Sequence, residues 1–312
     1  MDYQIYRLKF KTAAHFGTNG LTETASTFCA DTLFSALCLE AVRMSCLDTL
    51  IEAVRKDEVA FSDGLPYIGD TYYLPKPMLK ITGKEDDEGN SVLKKAYKSL
   101  AYVPIDQFDV YINGKLDVLT VTQAFDDHFG TSYLLEKAAI GRNNGDQTRP
   151  FGVGLYQYQK GSGLYVIIGV TTDNQRELID ELMSALSLTG IGWLVSVGYG
   201  KFEYDVAELP EDIKLKLDDK DADVYESLSV SLPKDDELLY VIEGAGYRMI
   251  KRRGFIASPA YAHTTQRKRD LCVMAAGATF KKRFQGQIAD VSDGRDHPVY
   301  RYAKPMLMGV SK

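Results

Sequence analysis

Residues 163–170 read GLYVIIGV, eight positions without a charged side chain. A strand-length apolar run that does not alternate has to be buried, so it demands a core built around it. The run that follows, NQRELIDELMSALSLTG (174–190), repeats apolar residues at helical spacing and ends on a glycine, the pattern of an amphipathic helix with a glycine stop. Then comes TGIGWLVSVGYGKFEY (189–204), where Gly190-Ile191-Gly192 and Gly198-Tyr199-Gly200 bracket a stretch containing Trp193, the chain's only tryptophan. GKFEYDV continues it as a strand.

The same strand–helix succession opens the chain. YQIYRLKF (3–10) alternates apolar with polar residues as a strand, and HFGTNGLTETAS connects it to ADTLFSALCLEAVRMS (30–45), apolar at helical spacing. Asp31 or Thr32 is placed to accept from the free amides of that helix's first turn. LDTLIEAVRKDE reads as a second helical stretch, and FSDGLPYIGDTYYLPKP as short strands broken by bends. Regularity weakens between residues 82 and 160: KKAYKSLAYV suits a short helix, FDVYINGKLDV a hairpin turning at Asn113-Gly114, and EKAAIGRNNGDQTRPFGVG is rich in glycine and asparagine. This stretch reads as an insertion. Strand, helix, strand pair, insertion, strand, helix, loop, strand approximates a βαββαβ ferredoxin-like or RRM-like unit over residues 1–207. A polar linker (208–223) leads to a second region (224–312) that reads mainly as strands: ESLSVSLP, ELLYVIEGAGYRMI, DLCVMAAGATF and GQIADVS. The expected fold is α+β, with a second, degenerate and strand-rich unit.

At 312 residues and 45% hydrophobic content the chain can fill two cores. No segment reaches the roughly 20 apolar residues of a membrane span, and the amino-terminal stretch alternates like a strand rather than a secretory leader. The expected location is cytoplasmic. Cys29, Cys38, Cys46 and Cys272 lack metal-ligand or CxxC spacing, which favours reduced, buried thiols. The four histidines show no metal spacing either, and no cofactor signature is legible.

The net charge of −6 is unevenly spread. Residues 241–312 hold 14 Lys+Arg against 5 Asp+Glu, a local excess of +9 on a body of −15. Such a split marks either a polyanion site or a segment that pairs with an acidic surface. Lys251-Arg252-Arg253, Arg267-Lys268-Arg269 and Lys281-Lys282-Arg283 lie beside Phe255, Tyr261 and Phe284. Cations neutralise phosphates and aromatic faces stack on unpaired bases, so this interleaving suits single-stranded RNA; lysine-protected strand edges have the same composition. His15 has the titration range of a general base for a ribose 2′-hydroxyl, or it is a loop histidine held by hydrogen bonds. The glycine-bracketed loop follows a helix and opens a strand, the reverse of a dinucleotide fingerprint. Two readings remain for it: a backbone that lies against a phosphodiester chain, or a helix cap followed by a strand bulge.

Several blocks, in order, resemble one known family across nearly the whole chain: HFG, FCADTLFSALCLEA, FSDGLPYI, YYLPKP, GLYVI, GYGKFE, GFIAS, RKRDL, AGATF, FxGxIxDVS and RYAKP. They resemble the fourth subunit of the type III-A CRISPR effector, the Csm complex, within the RAMP superfamily of RRM-like domains. The resemblance implies a non-catalytic, metal- and cofactor-free subunit in antiviral defence. It would hold the repeat-derived 5′ handle of the crRNA and contact both the large polymerase-like signalling subunit and a backbone RAMP subunit. It implies a thumb-like insertion, with Arg142 and Arg149 as its candidate RNA contacts, and an RNA-facing loop at Gly190, Gly192, Gly198, Gly200 and Lys201. His15, Gly17, Trp193, Lys251, Arg252, Arg253, Phe255, Arg267, Lys268 and Arg269 complete the expected RNA side. The departure is Trp193-Leu194-Val195-Ser196-Val197, where family members carry small and basic residues. The alternative within the same superfamily is a metal-independent guide-processing endoribonuclease using His15 as general base.

Overall fold

The structure is a computed structural model that describes residues 1–18, 20–80, 91–139, 149–257, 266–294 and 297–310. Strand β1 (Asp2–Phe10) leads through the small ribbon β2 (Phe16–Gly17) and β3 (Thr24–Ala25) into α1 (Ala30–Arg43) and α2 (Leu47–Arg55). Three short strands follow, β4 (Val59–Phe61), β5 (Leu65–Ile68) and β6 (Thr71–Pro75). Residues 91–129 form α3 (Ser91–Ser99), β7 (Tyr102–Pro104), α4 (Phe108–Ile112) and α5 (Val118–Phe129). A long ribbon, β8 (Gly130–Ala139) and β9 (Arg149–Tyr158), then rises and returns before β10 (Ser162–Val170), α6 (Asp173–Thr189) and β11 (Phe202–Glu208).

The main sheet is antiparallel in the order β11-β1-β10-β5-β6-β7, with β4 also on β10. Its first four positions reproduce the fourth-first-third-second order of a ferredoxin-like unit. The alternation of β1 sends Tyr6 and Leu8 to one face, where Leu33, Phe34 and Leu37 of α1 and Ile179, Leu182 and Leu186 of α6 cover them. Ile5 points to the other face, with Tyr165 and Ile167. That second face is closed as well: α3, α4 and α5 bury Tyr97, Phe108, Tyr111 and Val121 there. Coverage of both faces explains GLYVIIGV, because every residue of β10 is buried. It also removes the open sheet face on which RRM domains stack bases.

The segment read as a polar linker contains α7 (Glu211–Asp218), whose Ile213 and Leu217, with Leu209 one turn earlier, close the far end of that face. Beyond it the strands are short: β12 (Tyr225–Ser227), then helix α8 (Leu238–Ile242), β13 (Met249–Arg252), β14 (Leu271–Met274), β15 (Thr279–Phe280), β16 (Gln287–Asp290), β17 (Tyr300–Ala303) and β18 (Leu307–Gly309). They form a three-stranded sheet, β15-β12-β18, and two ribbons, β13-β14 and β16-β17. This second region is not a separate bead. Tyr302 of β17 packs its ring 5.7 Å from Phe34 and 5.5 Å from Phe61, inside the first core.

Three expectations need correction. The segment around Asn113-Gly114 joins two helices rather than two strands, because a residue with left-handed backbone, here Gly114 at φ 66°, ends a helix as readily as it turns a hairpin. LLYVI, expected as a strand, is the short helix α8 with Val241 alone buried, preceded by the buried Glu237. Asp31 does not cap α1, whose N-cap is Cys29 without a side-chain bond. The cap comes from Asp63 instead: its Oδ1 accepts from Ala30 N–H at 2.7 Å and also from Val230 N–H at 3.0 Å, fastening the helix start and the second region to one carboxylate. The four cysteines are free; Cys272 is exposed, and burial pushes the Cys38 thiol up to about 12. No helix among the described residues is long and apolar enough to cross a membrane.

Candidate nucleic-acid interface

The end of β1 and the start of β11 lie side by side, with Phe10 opposite Phe202, so the chain leaving one strand meets the chain entering the other. Lys11 N–H donates to the Lys201 carbonyl at 2.8 Å, Lys201 N–H to Thr12 Oγ1 at 3.1 Å, Gly200 N–H to the Ala13 carbonyl at 2.9 Å and Trp193 N–H to the His15 carbonyl at 3.0 Å. Ile191 N–H donates to the Gly200 carbonyl at 3.0 Å and closes the loop at its neck. The glycines answer mainly to these internal contacts. A Cβ on Gly200, at φ 71°, would sit 2.1 Å from the Ile191 carbonyl oxygen, and one on Gly192, at φ 105°, would sit 2.7 Å from that of His15. Gly198 differs: its φ is 93°, yet nothing stands within 4 Å of the position a Cβ would take.

His15 is the hinge pin of this surface. It is 3% exposed, and its Nδ1 donates to the Gly154 carbonyl of the ribbon at 2.6 Å, which leaves Nε2 directed towards Gly17. Its ring lies 5.6 Å from the indole of Trp193, tilted by 57°. Ala14 pairs with Tyr156 of β9, and Ala13, Val153 and Leu155 form a small core with Leu194 and Tyr199 against it. The Lys137 ammonium stands 5.0 Å above the Tyr199 ring. Residues 12–17, the loop 190–201 and the root of the ribbon therefore make one surface. Trp193 remains 43% exposed on it, and Lys201 is exposed beside the neck.

Of the remaining expected residues, Arg149 sits exposed at the far end of the ribbon, paired with Ala139, and Arg142 lies outside the described residues. The basic segment is elsewhere and mostly engaged. Arg252 makes a paired contact with Asp31, Nε to Oδ2 at 3.0 Å and Nη2 to Oδ1 at 2.8 Å, and Arg301 binds the same carboxylate. Lys268 donates to Ser35 Oγ at 2.9 Å. Lys251 and Arg253 share Asp270 at 2.7 and 3.7 Å on the surface. The Arg269 guanidinium donates to the Asp290 carbonyl at 2.6 Å, and Arg283 to the Asp219 carbonyl at 2.9 Å. Phe255 is exposed with the Arg267 guanidinium 5.5 Å from its ring centre, while Tyr261 and His263 lie outside the described residues.

Burial and charge set the electrostatics of this second site. Burial opposes ionisation of Asp31, but Arg252 and Arg301 outweigh it and hold the carboxyl below its ordinary range. Burial pushes Asp63 up to about 7 despite its two amide donors, and it pulls Lys268 down to about 8, helped by repulsion from Arg301. These are interior groups. Tyr199, Lys137 and Gly154 were not legible as site residues; the one signal was a glycine inside the strand GVGLYQY, where a Cβ on Gly154 would meet the Thr22 carbonyl oxygen at 2.4 Å.

The family model of the CRISPR Csm4 C-terminal domain matches residues 220–310. Among curated proteins, one named "CRISPR system Cms protein Csm4" from Mycobacterium tuberculosis is 34% identical over 310 residues, covering 99% of this chain and 98% of that protein. A protein of the same name from Streptococcus thermophilus is 33% identical over 321 residues, covering 98% of each. Among solved structures, the chain superposes on one in a crystal structure of a Csm3–Csm4 subcomplex of the type III-A CRISPR-Cas interference complex with a TM-score of 0.69 at 18% identity, covering 99% of this chain and 100% of that one. A Csm1–Csm4 cassette crystallised with pppApA gives 0.59, again at 18% identity, over 99% and 98%. The full-length identity to the curated relatives settles the family: this chain belongs to the CRISPR Csm4 family.

Proposed function

We propose that the chain is a crRNA-binding subunit of a type III-A interference complex, holding the repeat-derived 5′ handle and joining a large signalling subunit to a backbone filament. Its relatives are Csm4 proteins, and solved structures of similar fold pair Csm4 with Csm3 or Csm1. The observation that carries the reading is the surface formed by residues 12–17, the loop 190–201 and the ribbon root. Both faces of the sheet are buried, so an RNA strand meets this chain through loops and the ribbon. Arg149 is exposed at the ribbon's far end, and we read it as the residue that reaches across such a strand. Exposed apolar side chains on α8 (Leu238, Leu239, Ile242) and on the outer turns of α1 (Leu39, Val42) suit docking to other proteins.

The role is one of binding without turnover. His15 is nearly sealed from solvent and spends Nδ1 on a backbone carbonyl, which suits an anchor better than a general base that must reach a ribose hydroxyl. Ultraviolet crosslinking of the assembled complex, followed by peptide mapping, tests the proposal. Crosslinks from the 5′ portion of the guide to peptides spanning 11–17 and 190–201 are expected. Crosslinks confined to other subunits would sink it.

A further inference from the structure

We infer that Trp193 is a stacking platform for one unpaired nucleobase, an inference that rests on the RNA-binding reading above and gives the glycine-bracketed loop its ligand. The backbone that carries the ring is fixed on both sides. Its residue is pinned through Trp193 N–H to the His15 carbonyl at 3.0 Å, preceded by Gly192, which has no room for a side chain, and followed by Leu194, itself in left-handed backbone at φ 67°. One side of the indole leans on His15, and His15 is held in turn by the Gly154 carbonyl. The remainder of the ring is open, 43% exposed in a loop whose Ile191 is wholly buried.

An aromatic ring already packed against one neighbour and still partly exposed loses little freedom when a flat ring settles on it. The surroundings fit the rest of a nucleotide. Lys201 is exposed at the neck of the loop, and the Lys137 ammonium of the ribbon stands 5.0 Å from the ring of Tyr199 in the same loop. Around Gly198 there is space for a sugar-phosphate chain to pass close to the backbone. Cation beside aromatic is how single strands are held without sequence readout, each stacked base adding a sequence-tolerant increment. Val197 is the only other strongly exposed apolar side chain between residues 191 and 200, but Tyr133, Leu134 and Phe151 are exposed on the ribbon, so a protein that covers the indole is the outcome the experiment has to exclude.

Because Trp193 is the only tryptophan, emission of the full-length chain excited at the red edge, where the 20 tyrosines do not absorb, reports on this ring alone. The probe is single-stranded repeat RNA carrying the handle, together with versions that have an abasic nucleotide at each position in turn. The expected result is quenching on RNA addition and a five- to hundredfold weaker affinity, roughly, for Trp193→Ala, the range covered by base–aromatic stacking, with Trp193→Phe close to wild type. One abasic position should cost the wild type the same factor and cost Trp193→Ala nothing further. The abasic series needs no variant, so it decides the matter even if Trp193→Ala folds poorly. If the chain binds RNA with unchanged emission and no abasic position matters, the platform is wrong and the RNA reading stands. If neither the chain nor the assembled complex binds the RNA, the reading beneath it fails as well. Quenching by a partner subunit without RNA also overturns the proposal, since a protein then covers the ring.

Discussion

The glycine loop and the basic carboxyl-terminal segment are both expected RNA contacts, and the fold treats them in opposite ways. The loop closes on its own backbone and leaves an aromatic ring outside. The basic segment turns many of its cations inward or sideways, onto Asp31, Ser35, Asp270 and the carbonyls of Asp290 and Asp219. Part of its +9 excess fastens it to the acidic body, Arg252 and Arg301 through Asp31 and Lys304 through Asp57, while Lys251 and Arg253 pair with Asp270 inside the segment itself. A formal charge count along a chain says how much charge there is, and only the fold says how much of it water can see.

Three perturbations press on this contrast. The largest effect belongs to Asp31→Ala, which strands the Arg252 and Arg301 guanidiniums beside α1; removal of one partner from a buried ion pair costs about 3–5 kcal/mol, read as a fall in the denaturation midpoint. A loss below about 1 kcal/mol would show that those cations find water, and that the segment is more open than described. Next comes the loop. Gly200→Ala meets a carbonyl oxygen at 2.1 Å in left-handed backbone and should lose about 2 kcal/mol or more, whereas Gly198→Ala, with open space, should lose only the roughly 1 kcal/mol of the backbone conformation itself. Equal losses on thermal unfolding would mean that the loop does not close at its neck. The smallest effect is expected of Lys251→Ala and Arg253→Ala, whose shared partner Asp270 is exposed: stability should stay within about 0.5 kcal/mol. If either cation contacts a phosphate, its removal lowers the salt dependence of RNA binding by about one unit of log–log slope; an unchanged slope assigns both to the fold.

The parts of the fold written in local pattern could be read before the structure. GLYVIIGV, the helix before the glycine loop and the order of the βαββαβ unit needed only neighbours in sequence. What escaped depends on partners far along the chain. Asp31 looked like a helix cap because its partners, Arg252 and Arg301, stand 221 and 270 positions away. Helix α7 hid in a polar segment, since a stripe of Leu209, Ile213 and Leu217 at four-residue spacing suffices when only one face is covered. In the candidate site, the glycines were visible, but the reason for them was not: the close approach is by the chain itself, and His15 acts as the anchor of that approach rather than beside it.

Asp63 has a consequence for how the protein is made. The carboxylate that caps α1 also accepts from Val230, about 200 residues downstream of Ala30. At a synthesis rate of roughly 5–20 residues per second, that second donor leaves the ribosome some 10–40 s after the helix it helps to hold. Throughout that interval the nascent amino-terminal half carries a carboxylate short of one of its two donors and a core awaiting Tyr302. A chaperone has at least that long to hold an unfinished core.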